Sequence, residues 1–353
     1  MKDCNAKSEG FVLGLDLGDR KSHYALLDEQ GKVVEQGAVR TNRQWIRSLF
    51  SNIPNSRVVM EVGTHSRWVS QMSEQQGHET FVANARRLRW IFENDQKTDR
   101  MDAEWLGRVG RFDANLLHPI QHRSQQAQAD LAILRSREAL VKARTQLINH
   151  VRGQVKAWGK RLPKCAAKSF HRWVLGEIPD QLRPALETTV EMIGQLTSEI
   201  AGYESQIAQR AEEYPEIEQL RAIKGVGLLS SSAFVWTLED PGRFSRSRQV
   251  GAYLGLIPKR DQSGQRDPRL GITKAGDEAL RRLLVQSAHY ILGPFGEDCD
   301  LRRFGERLME GEAEKGKKRA VVAVARKLSV LMHHLWKTGE AYDPFYQENR
   351  KAA

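Results

Sequence analysis

Four carboxylates in the first third of the chain stand where a carboxylate is costly. Asp16 falls in the apolar, strand-like run "VLGLDLG", and Glu61 ends a second such run, "RVVMEVG". An acid among inward-facing residues carries a desolvation penalty unless it is paired or bound to a metal. Asp99 and Asp102 stand three apart in "QKTDRMDAEWLGR", at the start of a helical segment and interleaved with Lys97 and Arg100. Residues three apart on a helix share a face, so these two carboxylates repel each other. A divalent cation relieves that repulsion, and a set of hard oxygen donors suits Mg²⁺ or Mn²⁺. Two such ions about 3.5–4 Å apart can clamp a phosphoryl centre during in-line displacement. Taken singly, each acid has an ordinary reading: a turn residue or cap at Asp16 or Glu61, an N-cap at Asp99. Caps do not account for the set of four.

The elements that would position these acids follow from hydrophobic periodicity. From Phe11 to about His118, short β-type runs ("FVLGLDLG", "SHYALLD", "KVVEQGAV", "SRVVMEVG", "ETFVAN") alternate with helical stretches at Trp45–Phe50 and Ser66–Gln76. Three strands followed by strand and helix alternation predict an α/β domain with a mixed sheet. Ligand sites in such sheets gather where strand ends meet the following loops. If the strands carrying Asp16 and Glu61 are neighbours, both acids reach one edge, where Asp99 and Asp102 can complete the cluster.

From about Ser124 to Tyr214 the strand signal gives way to helical stripes. Ile133, Leu134, Leu140, Val141, Leu147, Ile148 and Val155 form one; Leu186, Ile193, Leu196, Ile200, Tyr203 and Ile207 form the other. These predict two long helices in an antiparallel coiled-coil hairpin, its seam closed within the chain or offered for dimerisation. "GKRLPKCAAKSFHRWVLGEIPDQLRP" between them carries Gly and Pro punctuation and reads as the hairpin tip. The part from about Ile217 is mostly helical. In "LRAIKGVGLLSSSAFVWTL", Lys224, Gly225 and Gly227 stand at the turn of a helix-hairpin-helix-like element, of the kind that offers free backbone N–H groups to a phosphate, although a helix C-cap also needs glycine. The expected divisions are 1–123, 124–215 and 216–353.

Composition limits the partners. Lys and Arg outnumber Asp and Glu 55 to 44 in 353 residues, a formal charge of +11. Such an excess favours a polyanion, above all nucleic acid. Cys4, Cys165 and Cys299 are odd in number and widely spaced, which indicates neither a disulfide framework nor a zinc site and fits a reducing cytoplasm. There is no apolar leader and no run of about 18 apolar residues, so the expectation is a soluble protein without a membrane partner.

The order "GLDLGDRKSHYALLD", "MEVGTHS", "KTDRMDA", a helical stretch, "GVGLLSSSAFVWTL", "FSRSRQVGAYLGLIPKRDQSG" and "ITKAGDEALRRLL" resembles the insertion-sequence transposases of the IS110 and IS1111 type over nearly the whole chain. The resemblance implies a ribonuclease-H-like, resolvase-type DEDD domain with its four acids at Asp16, Glu61, Asp99 and Asp102, holding Mg²⁺ or Mn²⁺. It further implies a coiled-coil linker and a C-terminal transposase domain whose serine, here Ser263, joins covalently to a DNA end. In the family the site is thought to be composite, its acids and serine coming from different protomers. The implied partners are DNA at the element ends and target, a guide (bridge) RNA, and a homodimer assembling to a tetramer in the bacterial cytoplasm at the nucleoid.

On residues alone "DQSGQRDP" is a solvated turn, and a serine needs activation before it acts as a nucleophile. Lys259, Arg260, Arg266, Arg269 and Lys274 around it could neutralise phosphate, as could Arg243, Arg246, Arg248, Lys317, Lys318 and Arg319. His65 after "MEVGT" is either a proton carrier or a turn residue. Other classes remain. A structure-selective nuclease of the Holliday-junction-resolvase type would use the four acids without the serine, and a non-catalytic RNA-binding protein would need none of them. An actin-like or sugar-kinase ATPase also opens with "GLDLGD" but needs a second α/β half, which the helical remainder does not supply.

Overall fold

The structure is a computed structural model that describes residues 10–86, 88, 98–264, 266, 268, 270–310 and 314–346. The chain divides into two compact units, 1–122 and 123–353.

The first unit is built on five strands: β1 (Phe11–Asp16), β2 (Lys21–Leu27), β3 (Val33–Arg40), β4 (Ser56–Glu61) and β5 (Glu79–Ala83). Their order in the sheet is β3-β2-β1-β4-β5. β2 runs antiparallel to β1 and β3 antiparallel to β2, whereas β4 and β5 continue parallel to β1. The mixed sheet expected from the sequence is therefore present, and the two acid-bearing strands are neighbours. Among the described residues, the helices α1 (Arg43–Asn52), α2 (Ser66–Gln75) and α3 (Asp99–Phe112) accompany the sheet.

The central strands are apolar at nearly every position because both faces are covered. Leu13, Leu15, Val58 and Met60 pack with Ile46, Phe50, Val69 and Met72 of α1 and α2. Val12 and Val59 pack on the other face with Leu106 and Val109 of α3. Alternation along a strand then puts Asp16 on the face of Val12 and Gly14, and Glu61 on the face of Val59: both acids belong to the side that α3 covers.

Glycines set the distance between that helix and the sheet. A Cβ on Gly14 would lie 1.9 Å from the Ala103 carbonyl oxygen and 2.5 Å from the Gly107 nitrogen. The backbones of β1 and α3 thus touch, which seats the first turn of α3 beside the carboxyl end of β1.

The second unit is helical. Its long helices α4 (Gln125–Ala157) and α6 (Arg183–Ala211) enclose the short α5 (Phe170–Val174). Arg137 donates to Glu204 at 3.0 Å and Arg144 to Thr197 at 3.2 Å. Seven residues forward on one helix match seven back on the other, so the pair is antiparallel, as the stripes predict. At its distal end Ile148, Val151 and Val155 pack with Phe170, Val174, Leu186 and Val190. At its base the buried Asp130 carboxylate accepts from Arg210 at 3.0 Å and from the Tyr214 hydroxyl at 2.7 Å.

Among the described residues six further helices follow: α7 (Pro215–Arg221), α8 (Leu228–Leu238), α9 (Arg248–Tyr253), α10 (Glu278–Ile291), α11 (Asp300–Met309) and α12 (Glu314–Thr338). They share one core around Phe234, Trp236, Leu284 and Leu328. α8 is its central helix, buried from Ser230 to Leu238 and built of apolar and small residues without a charge, as suits a helix enclosed on every side. No helix of the described residues is long and apolar enough to cross a membrane.

Candidate metal centre and nucleic-acid surfaces

Asp16 is the last residue of β1 and Glu61 the last of β4. The parallel register pairs Leu15 with Met60, so the two acids are the next pair along. Across the other edge of β1 the antiparallel register sets His23 of β2 opposite Asp16. Cross-strand partners share a face. Asp16, His23 and Glu61 therefore form a row at the end of three adjacent strands, on the α3 side.

α3 delivers the remaining acids. Its N-cap is Thr98, whose hydroxyl accepts from the Met101 N–H at 3.3 Å. Asp99 is thus not the cap that a single-residue reading suggests; it occupies the first helical position, and Asp102 follows in the first turn. The positive end of the helix dipole favours both carboxylates there. Asp102 is buried, whereas the Asp99 side chain is 70% exposed.

Asp16, His23 and Asp99 each offer a ligand atom, and the three atoms lie within 4.8 Å of one another. His23 Nδ1 is 3.6 Å from Asp99 Oδ2. Donors each about 2.0–2.6 Å from a common cation are separated by distances of this order, so two carboxylates and an imidazole fit a divalent ion such as Mn²⁺ or Mg²⁺. Glu61 and Asp102, on the same face, are not among the three converging groups. His23 is the residue that sequence reasoning missed. Its signal was the hairpin register: Asp16 and His23 flank the turn that reverses the chain, and only the pairing reveals that they are opposite each other.

In the neighbouring loop, His65 has contacts at both ring nitrogens. It caps α2, and the Trp68 indole N–H donates to its Nδ1 at 3.1 Å. Its Nε2 lies 3.5 Å from the Asp19 carboxylate. Arg100 folds back on the sheet, its Nε donating to Gln36 at 2.6 Å. Lys97 lies outside the described residues.

In the second unit Ser263 sits at the tip of an exposed hairpin. Pro258 pairs with Ile272, and Ser263 and Arg266 exchange backbone hydrogen bonds of 3.1 and 2.9 Å across the turn. Gly264, at φ +56° with open space where a Cβ would stand, lies in that turn. Lys259, Arg260, Arg266 and Lys274 around it are exposed, as are Arg246, Arg248, Lys317, Lys318 and Arg319. Arg243, also exposed, is engaged in the fold: it donates to the Leu238 carbonyl at 3.0 Å, closing the end of α8. Arg269 lies outside the described residues. The Gly-x-Gly turn joins α7 and α8 as expected. Gly225, at φ +92°, packs so tightly that a Cβ would lie 3.0 Å from Tyr290 and Ile291, whereas Gly227 is open and Lys224 pairs with Glu297 at 3.4 Å.

Comparison with known proteins gives two matches to protein families. Residues 13–158 match a family of DEDD transposases described as "Transposase", and residues 217–294 match "Transposase IS116/IS110/IS902 family". The chain is similar to the transposase for insertion sequence element IS1111A of Coxiella burnetii, at 26% identity over 94% of this chain and 91% of that protein. It is likewise 26% identical to the transposase for insertion sequence element IS1328 of Yersinia enterocolitica, over 78% of this chain and 82% of that one.

Proposed function

The chain belongs to the IS110 family of transposases, and from that premise we propose that it recombines DNA through a divalent-metal centre on the first unit and a serine nucleophile, Ser263, on the second. The observation that carries this reading is the convergence of Asp16, His23 and Asp99 within 4.8 Å at the carboxyl end of β1. The strand order β3-β2-β1-β4-β5, with β2 alone antiparallel to the other four strands, supports a ribonuclease-H-like scaffold for it.

Asp16, Asp99 and His23 would hold the ion, with Glu61 and Asp102 beside them. Bound there, a divalent ion would offset the charge developing on a scissile phosphate. The chain's own groups do the rest. The carboxylates order the strand ends, and the basic residues around Ser263 bind the phosphate and hold it against the hydroxyl. Ser263 Oγ attacks phosphorus, the bond to one deoxyribose oxygen breaks, and that oxygen leaves carrying the proton the serine gave up. One phosphodiester replaces another, so a strand can be rejoined without an outside energy source.

The partners in this reading are the element's ends and target in the bacterial cytoplasm, a guide RNA that supplies base-pairing specificity, and further copies of the chain forming a dimer or tetramer. The test is a suicide DNA substrate. Covalent protein–DNA adduct should form with Mg²⁺ or Mn²⁺, vanish with chelator, and be absent from Ser263→Ala. DNA cleavage that survives Ser263→Ala at the wild-type rate would instead establish a nuclease acting through the acids alone. RNA that co-purifies with the protein and maps to the element's own non-coding end supports guidance, and its absence removes that part of the proposal.

A further inference from the structure

The distal end of the α4–α6 pair carries two large aromatic side chains that the fold does not use. Trp158, which closes the end of α4, is 54% exposed, and Trp173 in α5 is 65% exposed. Between Phe170 and Val174, both fully buried, Trp173 takes the opposite side of its short helix. The tip is nevertheless well built: Phe170, Val174 and Ile178 close a core with Val151 and Val155, and the Arg152 guanidinium stacks 5.3 Å from the Phe170 ring. The tryptophans are therefore held on a rigid support and left facing water.

Charge on the same segment is one-sided. From 156 to 173 the sequence holds six cations, Lys156, Lys160, Arg161, Lys164, Lys168 and Arg172, and no Asp or Glu. All six are exposed. Lys160 pairs with Glu177 at 3.0 Å, and among the described residues the other five have no carboxylate within ion-pairing distance.

Exposed indole faces set among uncompensated cations match one ligand chemistry closely: phosphates for the charges and unstacked bases for the rings. A duplex hides its base faces, so the rings favour unpaired nucleotides. A second copy of this chain meeting the tip symmetrically would set the same cations against themselves. We propose that the tip of the helix pair binds an unpaired segment of the nucleic acid on which the protein works, stacking bases on Trp158 and Trp173. This rests on the nucleic-acid reading above but assigns the contact to a part of the chain remote in sequence from the acids and from Ser263.

The test uses the full chain, with oligothymidylate, oligouridylate, a DNA duplex and phosphatidylserine vesicles as separate probes. Trp158→Ala with Trp173→Ala should weaken single-strand binding about tenfold or more and leave duplex binding within about twofold. Trp158→Phe with Trp173→Phe, which keeps a ring at each site, should retain most of the affinity and guards against misfolding. Lys164→Ala with Lys168→Ala should weaken binding of every nucleic acid and lower the slope of log Kd against log salt by about one per lost phosphate contact. The DNA and RNA oligomers reveal which source the tip prefers. Single-strand affinity unchanged in the Trp-to-Ala pair, duplex affinity lost equally, or vesicle binding lost while nucleic-acid binding stays would each overturn the proposal. A wild-type chain that binds none of the nucleic acids would overturn the parent reading with it.

Discussion

Asp16 and His23 face each other because β1 and β2 are joined by a hairpin of only four residues, Leu17–Arg20, whose pairing fixes which side chains share a face. Asp99 approaches from a different element, so the three groups have different leverage on a bound ion. Asp16→Asn or Asp99→Asn should abolish strand cleavage and lower Mn²⁺ affinity at least tenfold, read by calorimetry or by the electron paramagnetic signal of free Mn²⁺; unchanged affinity would remove both from the centre. His23→Ala should weaken Mn²⁺ more than Mg²⁺, since a nitrogen donor suits the transition ion better than the harder one. Equal losses for the two ions would make His23 a positioning neighbour of Asp99 and not a ligand. A second histidine reports on stability. His333 is buried, with its ring nitrogens 3.0 Å from the Ser247 hydroxyl and 2.9 Å from the Pro241 carbonyl oxygen. Burial pushes its pKa below the ordinary imidazole value. The unfolded chain then takes up the proton first as pH falls. The stability that the neutral ring contributes is fully present above about pH 6.5, starts to be lost as pH drops through that value, and is gone below the folded value. Thermal unfolding between pH 7 and 5 should show this decline, and His333→Gln should flatten it.

At the scale of elements, the site depends on how closely α3 lies on β1. Gly14→Ala cannot be absorbed by a side-chain rotation, because the atoms its Cβ would meet are backbone: Ala103 O at 1.9 Å and Gly107 N at 2.5 Å. The helix must move outward, which should cost about 1–3 kcal/mol of stability in denaturant unfolding and carry Asp99 away from Asp16. Metal affinity should fall in Gly14→Ala even though no ligand has changed; a variant with native affinity would mean that the acids do not depend on this contact. The same elements explain what could be read in advance. The five strands and the first two helices follow from apolar runs and periodicity, and the apolar runs of β1 and β4 mark strands covered on two faces, but their adjacency is a condition that only the sheet order meets. His23 could not be read, because its partner lies across a hairpin and one residue more in the turn would put it on the opposite face. Ser263 could not be read either: an exposed serine at a glycine turn has no burial or pairing to distinguish it, and only family resemblance singles it out. The tip tryptophans were visible as letters, but which of the many apolar residues near the hairpin end would be left outside depends on Phe170 and Val174 filling the core.

Across the whole molecule, the positive charge is unequally divided. Residues 1–122 hold 17 Lys and Arg against 16 Asp and Glu, and residues 123–353 hold 38 against 28. Nearly all of the excess of +11 therefore lies in the second unit, while the acids that would cut DNA lie in the first, which is close to neutral. Counterion release scales with the number of phosphates a protein neutralises, so affinity for nucleic acid should be governed by the second unit and fall steeply with salt. Cutting should instead depend on the ion held by Asp16 and Asp99. The two properties should then separate cleanly. With chelator present, DNA affinity measured by fluorescence anisotropy should stay within about twofold of its value in Mg²⁺, after correction for the ion's own contribution to screening, while cleavage falls to background. Asp16→Asn and Asp99→Asn, each of which removes a negative charge, should bind DNA as tightly as the wild type or slightly more tightly. Charge removal at Arg246 and Arg248, exposed on the second unit, should lower affinity and flatten its salt dependence by about one per lost phosphate contact, without altering the metal affinity of the first unit. DNA binding that collapses with chelator would tie recognition to the ion and require the acids to take part in holding the substrate.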